Sequence, residues 1–147
     1  MSGSTSFAMI KPDAVAAGKV GVILAHVQQA GFEIRALRMV RLSRVEAEAF
    51  YAVHRGRPFY PELVDFMCSG RVVAMVLEKP DAVAAWRLTI GATDPAETAP
   101  GTIRKLFAES KGRNAVHGSD SDETAAREVS FFFPERELAL LGPAASG

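Results

Sequence analysis

The spacing of apolar residues along the chain changes period several times, and each change marks a boundary between predicted elements. Phe7 to Ile10 is a short apolar run that stops at Lys11-Pro12-Asp13, the pattern of a strand ending in a turn. Val20, Ile23, Leu24 and Val27 recur at helical spacing, and Gly31 closes that helix. From Phe32 to Leu42 apolar and polar positions alternate, with a slip of phase near Leu37 that predicts a bulge in a long strand. Ser43-x-x-Glu46 is a capping box, in which hydroxyl and carboxylate each accept the other residue's backbone N–H, and it opens a helix through about Val53. Pro61 to Met67 predicts another short helix ahead of Gly70. Arg71 to Glu78 contains the unbroken run Val72-Val73-Ala74-Met75-Val76-Leu77, which suits a strand buried on both faces, and a helix from about Asp81 to Ile90 follows.

Between Gly91 and Gly112 the periodicity lapses, interrupted by Pro95, Pro100 and Gly101, with only a short helical stretch around Ile103 to Phe107. A loop this long inside a compact domain is usually functional or else the sign of a wrong element assignment. Asn114 to His117 predicts a brief strand, Asp120-x-x-Glu123 reads as a helix start, and Ala125, Val129, Phe132 and Phe133 give that helix its apolar face. Gly142 to Gly147 reads as a frayed tail. The heptapeptide Lys-Pro-Asp-Ala-Val-Ala-Ala occurs at 11–17 and again at 79–85, each time directly after an apolar strand. Shared turn chemistry explains the repeat more simply than a duplication, because Pro and Asp both favour helix starts. The order of elements predicts an α+β fold, a ferredoxin-like split βαβ in which helices cover a four-stranded antiparallel sheet.

Length and charge narrow the class of ligand. A chain of 147 residues suits one domain. Seventeen basic residues balance seventeen acidic ones, so no global field holds a polyanion, and any anionic ligand must be caught by locally clustered cations. Cys68 is the only cysteine, so no intrachain disulfide forms, which fits a reducing cytoplasm. Met1 to Ser6 has neither a basic segment nor an apolar core of the kind that targets secretion. No stretch approaches the ~20 apolar residues that span a bilayer, so no membrane partner is expected.

The sharpest chemical signal is Asn114-Ala115-Val116-His117-Gly118-Ser119-Asp120, which places a histidine at the end of a short strand, before a glycine turn and a polar helix entry. Imidazole is largely neutral near pH 7, so one ring nitrogen has a lone pair free to attack phosphorus. Gly118 allows close backbone approach, and the helix opening near Ser119 to Ser121 offers a positive dipole end. A lone histidine on an apolar strand is more often structural; the surrounding residues reverse that reading.

That segment resembles the active-site signature of nucleoside diphosphate kinases, and the rest of the chain agrees in register. Thr5 to Asp13, Phe50-Tyr51, Arg57-Pro58-Phe59, Ser69 to Val76, Gly91 to Pro95 and Pro100 to Arg104 all resemble segments of that family. The likeness runs from about Thr5 to Leu141 and implies one domain over 1–147, the ferredoxin-like fold, Mg²⁺ carried on nucleotide phosphates, and ping-pong transfer from a triphosphate to a diphosphate. By the same resemblance His117 is the phosphorylated residue, attacking through Nδ1. Glu128 orients it and Ser119 supplies a neighbouring hydroxyl. Lys11, Tyr51, Arg87, Thr93 and Arg104 hold phosphates, Asn114 with Lys11 reads the sugar hydroxyls, and Phe59 and Leu63 sandwich the base. The resemblance also implies a homotetramer or homohexamer.

Charge needs agree with this set. Phosphoryl transfer demands in-line positioning and compensation of charge on the phosphate oxygens, which Lys11, Arg87 and Arg104 with Mg²⁺ supply. No Gly-x-x-x-x-Gly-Lys-Ser/Thr loop exists, because Asp13 stands where the glycine ahead of Gly18-Lys19 would be. His26, His54 and His117 lack the spacing of metal ligands. Taken singly, Arg87 reads equally as a solvated helix residue, Phe59 as core or surface, and Tyr51 as core. Lys79 lacks the register of Lys11 and is expected in solvent. Departures from the family pattern are Arg71, Lys79-Pro80-Asp81, Lys105, Leu106 and Lys111, the last beside the base wall. Two alternatives compete: a non-catalytic nucleotide-binding or regulatory protein on the same scaffold, which the intact set of site residues opposes, and a nucleic-acid-binding module, which neutral charge and the lack of an aromatic-rich RNP-like strand oppose.

Overall fold

Alternation within β1 (Thr5–Ile10) sends Phe7 and Met9 to one side of a sheet and Ala8 and Ile10 to the other, and all four are fully buried. This computed structural model describes residues 3–139, so the tail expected from Gly142 lies outside the described residues. β1 pairs antiparallel with β3 (Arg71–Glu78) on one flank and with β4 (Val116–Gly118) on the other. β3 pairs antiparallel with β2 (Glu33–Arg41), giving the four-stranded order β2-β3-β1-β4. The fold is the expected α+β arrangement.

Helices cover both faces. On the Phe7 face, Val72, Ala74 and Val76 of β3 meet α3 (Arg44–Phe50), α4 (Tyr60–Met67) and α7 (Asp122–Phe132) through Phe50, Val64, Met67, Val129 and Phe132. On the other, Val73, Met75 and Leu77 meet α2 (Val20–Gln29), α5 (Ala82–Ile90) and α6 (Ile103–Phe107) through Ile23, Val27, Trp86, Ile90 and Ile103. Double coverage is why the central strands read as unbroken apolar runs. Each large side chain so buried stabilises the fold by about 1.5–3 kcal/mol.

The Ser43–Glu46 capping box forms in full, with Ser43 Oγ accepting from Glu46 N at 3.1 Å and Glu46 Oε1 accepting from Ser43 N at 2.8 Å. The bulge in β2 falls between Ile34 and Ala36, two residues before the expected slip, leaving Arg35 as the extra residue beside Glu33 and Glu78. The helix expected to start at Asp120 begins at Asp122, because Ser121 Oγ takes the capping bond from Thr124 N. α1 (Pro12–Ala16) stands where only a turn was expected, and α8 (Glu135–Ala139) extends beyond the last predicted helix.

The two copies of the heptapeptide adopt different backbones. In the first, Lys11 is extended and Pro12 takes the first helical position of α1. In the second, Asp81 is left-handed at φ 53° and α5 starts at Ala82, where Gly3 O accepts from Ala82 N and Ser4 O accepts from Lys79 N. Contacts with the amino-terminal segment override the local preference. Lys79 is correspondingly not in free solvent: its Nζ donates to Ala30 O at 2.5 Å and lies 5.0 Å from the Phe32 ring.

Candidate active site

His117 sits in β4 opposite Met9, at the edge of the sheet whose strand β1 packs against α7. Its ring packs against Phe50 at 5.5 Å, Phe7 at 6.0 Å and Tyr51 at 6.0 Å between centroids, yet its side chain keeps 16% of its surface and lines an open cleft. Nε2 lies 3.0 Å from Glu128 Oε1, the same oxygen that accepts a 2.6 Å bond from Ser119 Oγ. A buried carboxylate at that nitrogen holds the proton on Nε2 and leaves the lone pair on Nδ1.

The backbone around the histidine is held from several directions. Trp86 Nε1 donates to His117 O at 3.2 Å, and Arg104 Nη2 donates to Val116 O at 2.9 Å. Gly118 does not have a positive φ; a Cβ on it would lie 2.7 Å from Trp86 Cδ1, so glycine is required there by close approach. Asp13 Oδ2 accepts from Ala115 N at 3.0 Å, and Ala115 itself has φ 73°.

Cations gather from distant segments. Arg87 of α5 and Arg104 of α6 line the same cleft as His117, about 1020 Å³ in volume, together with Thr93, His54 and Asp120. Arg104 is nearly buried: Nη1 donates to Gly91 O at 3.0 Å, Nε has no partner, and burial followed by repulsion from Arg87 lowers its pKa to about 10. Lys11 Nζ donates to Asn114 Oδ1 at 2.9 Å, and Asn114 Nδ2 donates to Thr93 O at 3.3 Å. Burial, reinforced by the Arg104 charge and opposed by Asp13, lowers the Lys11 pKa to about 8. A second cleft of about 780 Å³ is lined by Lys11, Asn114, Phe59, Leu63 and Lys111, and Thr93 lines both.

His117, Glu128 and Ser119 are thus bonded together, Arg87, Arg104 and Thr93 share a cleft with the histidine, and Lys11, Asn114, Phe59 and Leu63 share the adjoining one. Tyr51 lines neither. Its hydroxyl is buried without a partner, and burial with the nearby Glu128 charge raises its pKa far above the ordinary phenol range. Sequence reading missed Asp13, His54 and Trp86. Asp13 and Trp86 act on backbone groups across the sheet, which no local pattern reveals; the Phe59 edge against His54, 5.2 Å between centroids, is likewise a tertiary contact. Among the described residues no group of three or more His, Cys, Asp or Glu side chains is placed to hold a metal ion, and no helix is long and apolar enough to cross a membrane.

The family model described as nucleoside diphosphate kinase matches residues 4–138. A nucleoside diphosphate kinase of Bordetella pertussis is 57% identical over 135 residues, covering 92% of this chain and 96% of the relative. One from Chlorobium chlorochromatii is 55% identical over 130 residues, covering 88% and 93%. Among solved structures, the Aquifex aeolicus nucleoside diphosphate kinase superposes with a TM-score of 0.89 at 47% identity, covering 91% of this chain and 97% of that one. The Halobacterium salinarum nucleoside diphosphate kinase in complex with CDP gives 0.87 at 37% identity, covering 92% and 90%.

Proposed function

The chain belongs to the nucleoside diphosphate kinase family, and from that premise we propose that it passes the terminal phosphoryl group of a nucleoside triphosphate to a nucleoside diphosphate through a phosphohistidine at His117. The observation that carries this reading is the 3.0 Å contact of His117 Nε2 with the buried Glu128, on a histidine that lines one cleft with Arg87 and Arg104. The Nδ1 lone pair attacks the γ-phosphorus, the N–P bond forms as the bond to the β-phosphate oxygen breaks, and the diphosphate departs. The ring becomes an imidazolium, whose charge Glu128 balances across the Nε2 contact. A second diphosphate then takes the phosphoryl group by the reverse sequence and restores the neutral ring.

The joined clefts suit one extended nucleotide. Phe59 and Leu63 flank the base, Lys11 and Asn114 meet the sugar, and Thr93 with Arg87 and Arg104 receives the phosphates. Tyr51 contributes by packing on the histidine ring. Stacking gives affinity without reading base edges, so broad base tolerance follows. Mg²⁺ would arrive on the nucleotide phosphates and would supply positive charge to their oxygens. Glu97 and Asp120, which line the phosphate cleft beside its cations, are the carboxylates that would face its coordinated waters.

The whole chain is read as one such domain, supported by the match over 4–138. Self-association as a homotetramer or homohexamer is supported by edge strand β2, which leaves Leu37 and Met39 about half exposed; light scattering distinguishes the two. A cytoplasmic setting is supported by the lone free thiol of Cys68.

Incubation with Mg²⁺ and γ-labelled ATP, without acceptor, is expected to give acid-labile, alkali-stable label on His117 that GDP then removes. His117→Ala abolishes both steps with the fold intact; transfer persisting in that variant places the nucleophile elsewhere. Arg104→Ala slows transfer but still permits slow labelling, and wild-type rates would make its charge dispensable.

A further inference from the structure

Ala115, two residues before His117, occupies a backbone conformation that L-residues rarely adopt. Its φ is 73°, and Val116 N donates to Asn114 O at 2.8 Å, a bond between residues two apart. These are the marks of a γ-turn of the rare, strained hand. The turn stands between Asn114, whose side chain bonds Lys11, and His117, so its shape fixes the two residues relative to each other.

Such a turn persists only where its surroundings over-determine it, and here both backbone groups of Ala115 are held by one short segment. Lys11 N donates to Ala115 O at 2.8 Å, and Ala115 N donates to Asp13 Oδ2 at 3.0 Å. Asp13 is itself fixed: it sits in the first turn of α1, behind Pro12, and is 5% exposed. Without its carboxylate the Ala115 amide, on a fully buried residue, loses its acceptor, and of the two bonds from this segment only that of Lys11 N to Ala115 O still opposes relaxation of the turn.

We propose that Asp13 is a positioning residue, a buried carboxylate that holds the strained turn at Ala115 and thereby sets His117 against the nucleotide held by Asn114 and Lys11. The proposal rests on the reading of His117 as the phosphate carrier, and it adds a residue that contacts neither nucleotide nor reacting atoms. A displacement on the order of 1 Å at the histidine costs up to about a hundredfold in rate.

The test is a set of variants in the full chain: Asp13→Ala, Asp13→Asn, Ala115→Gly, and Asp13→Ala combined with Ala115→Gly. Each is followed by single-turnover labelling from Mg²⁺-ATP and by hydrogen exchange of the residue-115 amide. Asp13→Ala is expected to slow labelling by about ten- to a hundredfold and to speed exchange at that amide, with a smaller change in KM. Asp13→Asn keeps an acceptor oxygen and recovers most of the rate. Glycine at 115 adopts positive φ without strain, so the double variant labels faster than Asp13→Ala alone.

Urea midpoints of the same variants separate positioning from a general loss of stability, because slow labelling under conditions where every variant is fully folded does not come from unfolding. The proposal is overturned if Asp13→Ala labels at the wild-type rate, or if the double variant is no faster than Asp13→Ala. Should Asp13→Ala fail to fold, Asp13→Val, which fills more of the space but offers no acceptor, decides in its place: faster exchange at Ala115 with slower labelling supports the role, and wild-type exchange with wild-type labelling overturns it. Failure of the wild type to label at all would sink the phosphate-carrier reading instead, while exchange at Ala115 would still report whether Asp13 holds the turn.

Discussion

Glu128 lies 3.0 Å from Nε2 of His117, and that contact decides which ring nitrogen is left to react. The carboxylate is 6% exposed and also takes the Ser119 hydroxyl, so its orientation is set from two sides. Removing it frees the ring to rotate and withdraws the charge that balances an imidazolium. Glu128→Ala is expected to slow labelling of His117 roughly a hundredfold, and Glu128→Gln by less, since an amide oxygen still accepts the bond. Rapid-quench measurement of the first turnover checks this; labelling of the alanine variant at the wild-type rate would show that the ring needs no external orientation.

Lys11 gives activity and stability opposite dependences on pH. Burial and the Arg104 charge lower its pKa from 10.5 to about 8. Above that value the folded protein has lost a proton that the unfolded chain keeps until 10.5, so the unfolded state binds more protons and stability rises with pH across this window. Below about pH 8 the side chain is charged in both states and the cost of burying that charge is fully felt. In the proposed function that charge meets the nucleotide, so kcat/KM should fall above pH about 8 by up to tenfold per unit. Lys11→Met is expected to remove both limbs. Urea midpoints and initial rates between pH 7 and 10 test the pair, and parallel rather than opposed trends would contradict it.

How much of this was legible in the sequence depends on whether the cause was local. The Ser43–Glu46 capping box and the run from Val72 to Leu77 are consequences of neighbouring residues, and both appear where expected. The histidine segment was legible as chemistry because its residue types are specific. What lay hidden was set by tertiary contact. The second Lys-Pro-Asp copy is bent by bonds to Gly3 and Ser4, and Lys79 is drawn onto Ala30 and Phe32, although its local sequence equals that around Lys11. Asp13 reads as a helix-start residue, and its partner lies 102 residues away.

Gly118 is a packing requirement disguised as a flexible residue. A methyl group there would lie 2.7 Å from Trp86 Cδ1 and 3.1 Å from Ile90 Cδ1, and both side chains are tightly buried. Trp86 cannot yield freely, because its Nε1 holds His117 O. Gly118→Ala should therefore destabilise the protein by about 1–3 kcal/mol and slow phosphorylation as well. Denaturant melts and labelling rates check the two effects. Trp86→Phe in the same background gives up the bond but frees space, so stability should partly return while the rate does not.

Phe59 separates binding from chemistry. The residue is 45% exposed and lines the smaller cleft with Leu63, whereas the cleft holding His117, Arg87 and Arg104 does not include it. Stacking of a base on an aromatic face is worth about 1–3 kcal/mol. Phe59→Ala should therefore raise KM by roughly five- to a hundredfold at nearly constant kcat, because the lost contact is the same in ground and transition states. Every base has a π-face, so adenine, guanine, cytosine and uracil nucleotides should lose alike. Steady-state kinetics with the four diphosphates makes the comparison. A loss confined to one base would mean that base edges are read, and the charged side chains of Glu62 and Lys111, which line the same cleft, would then be the residues to exchange.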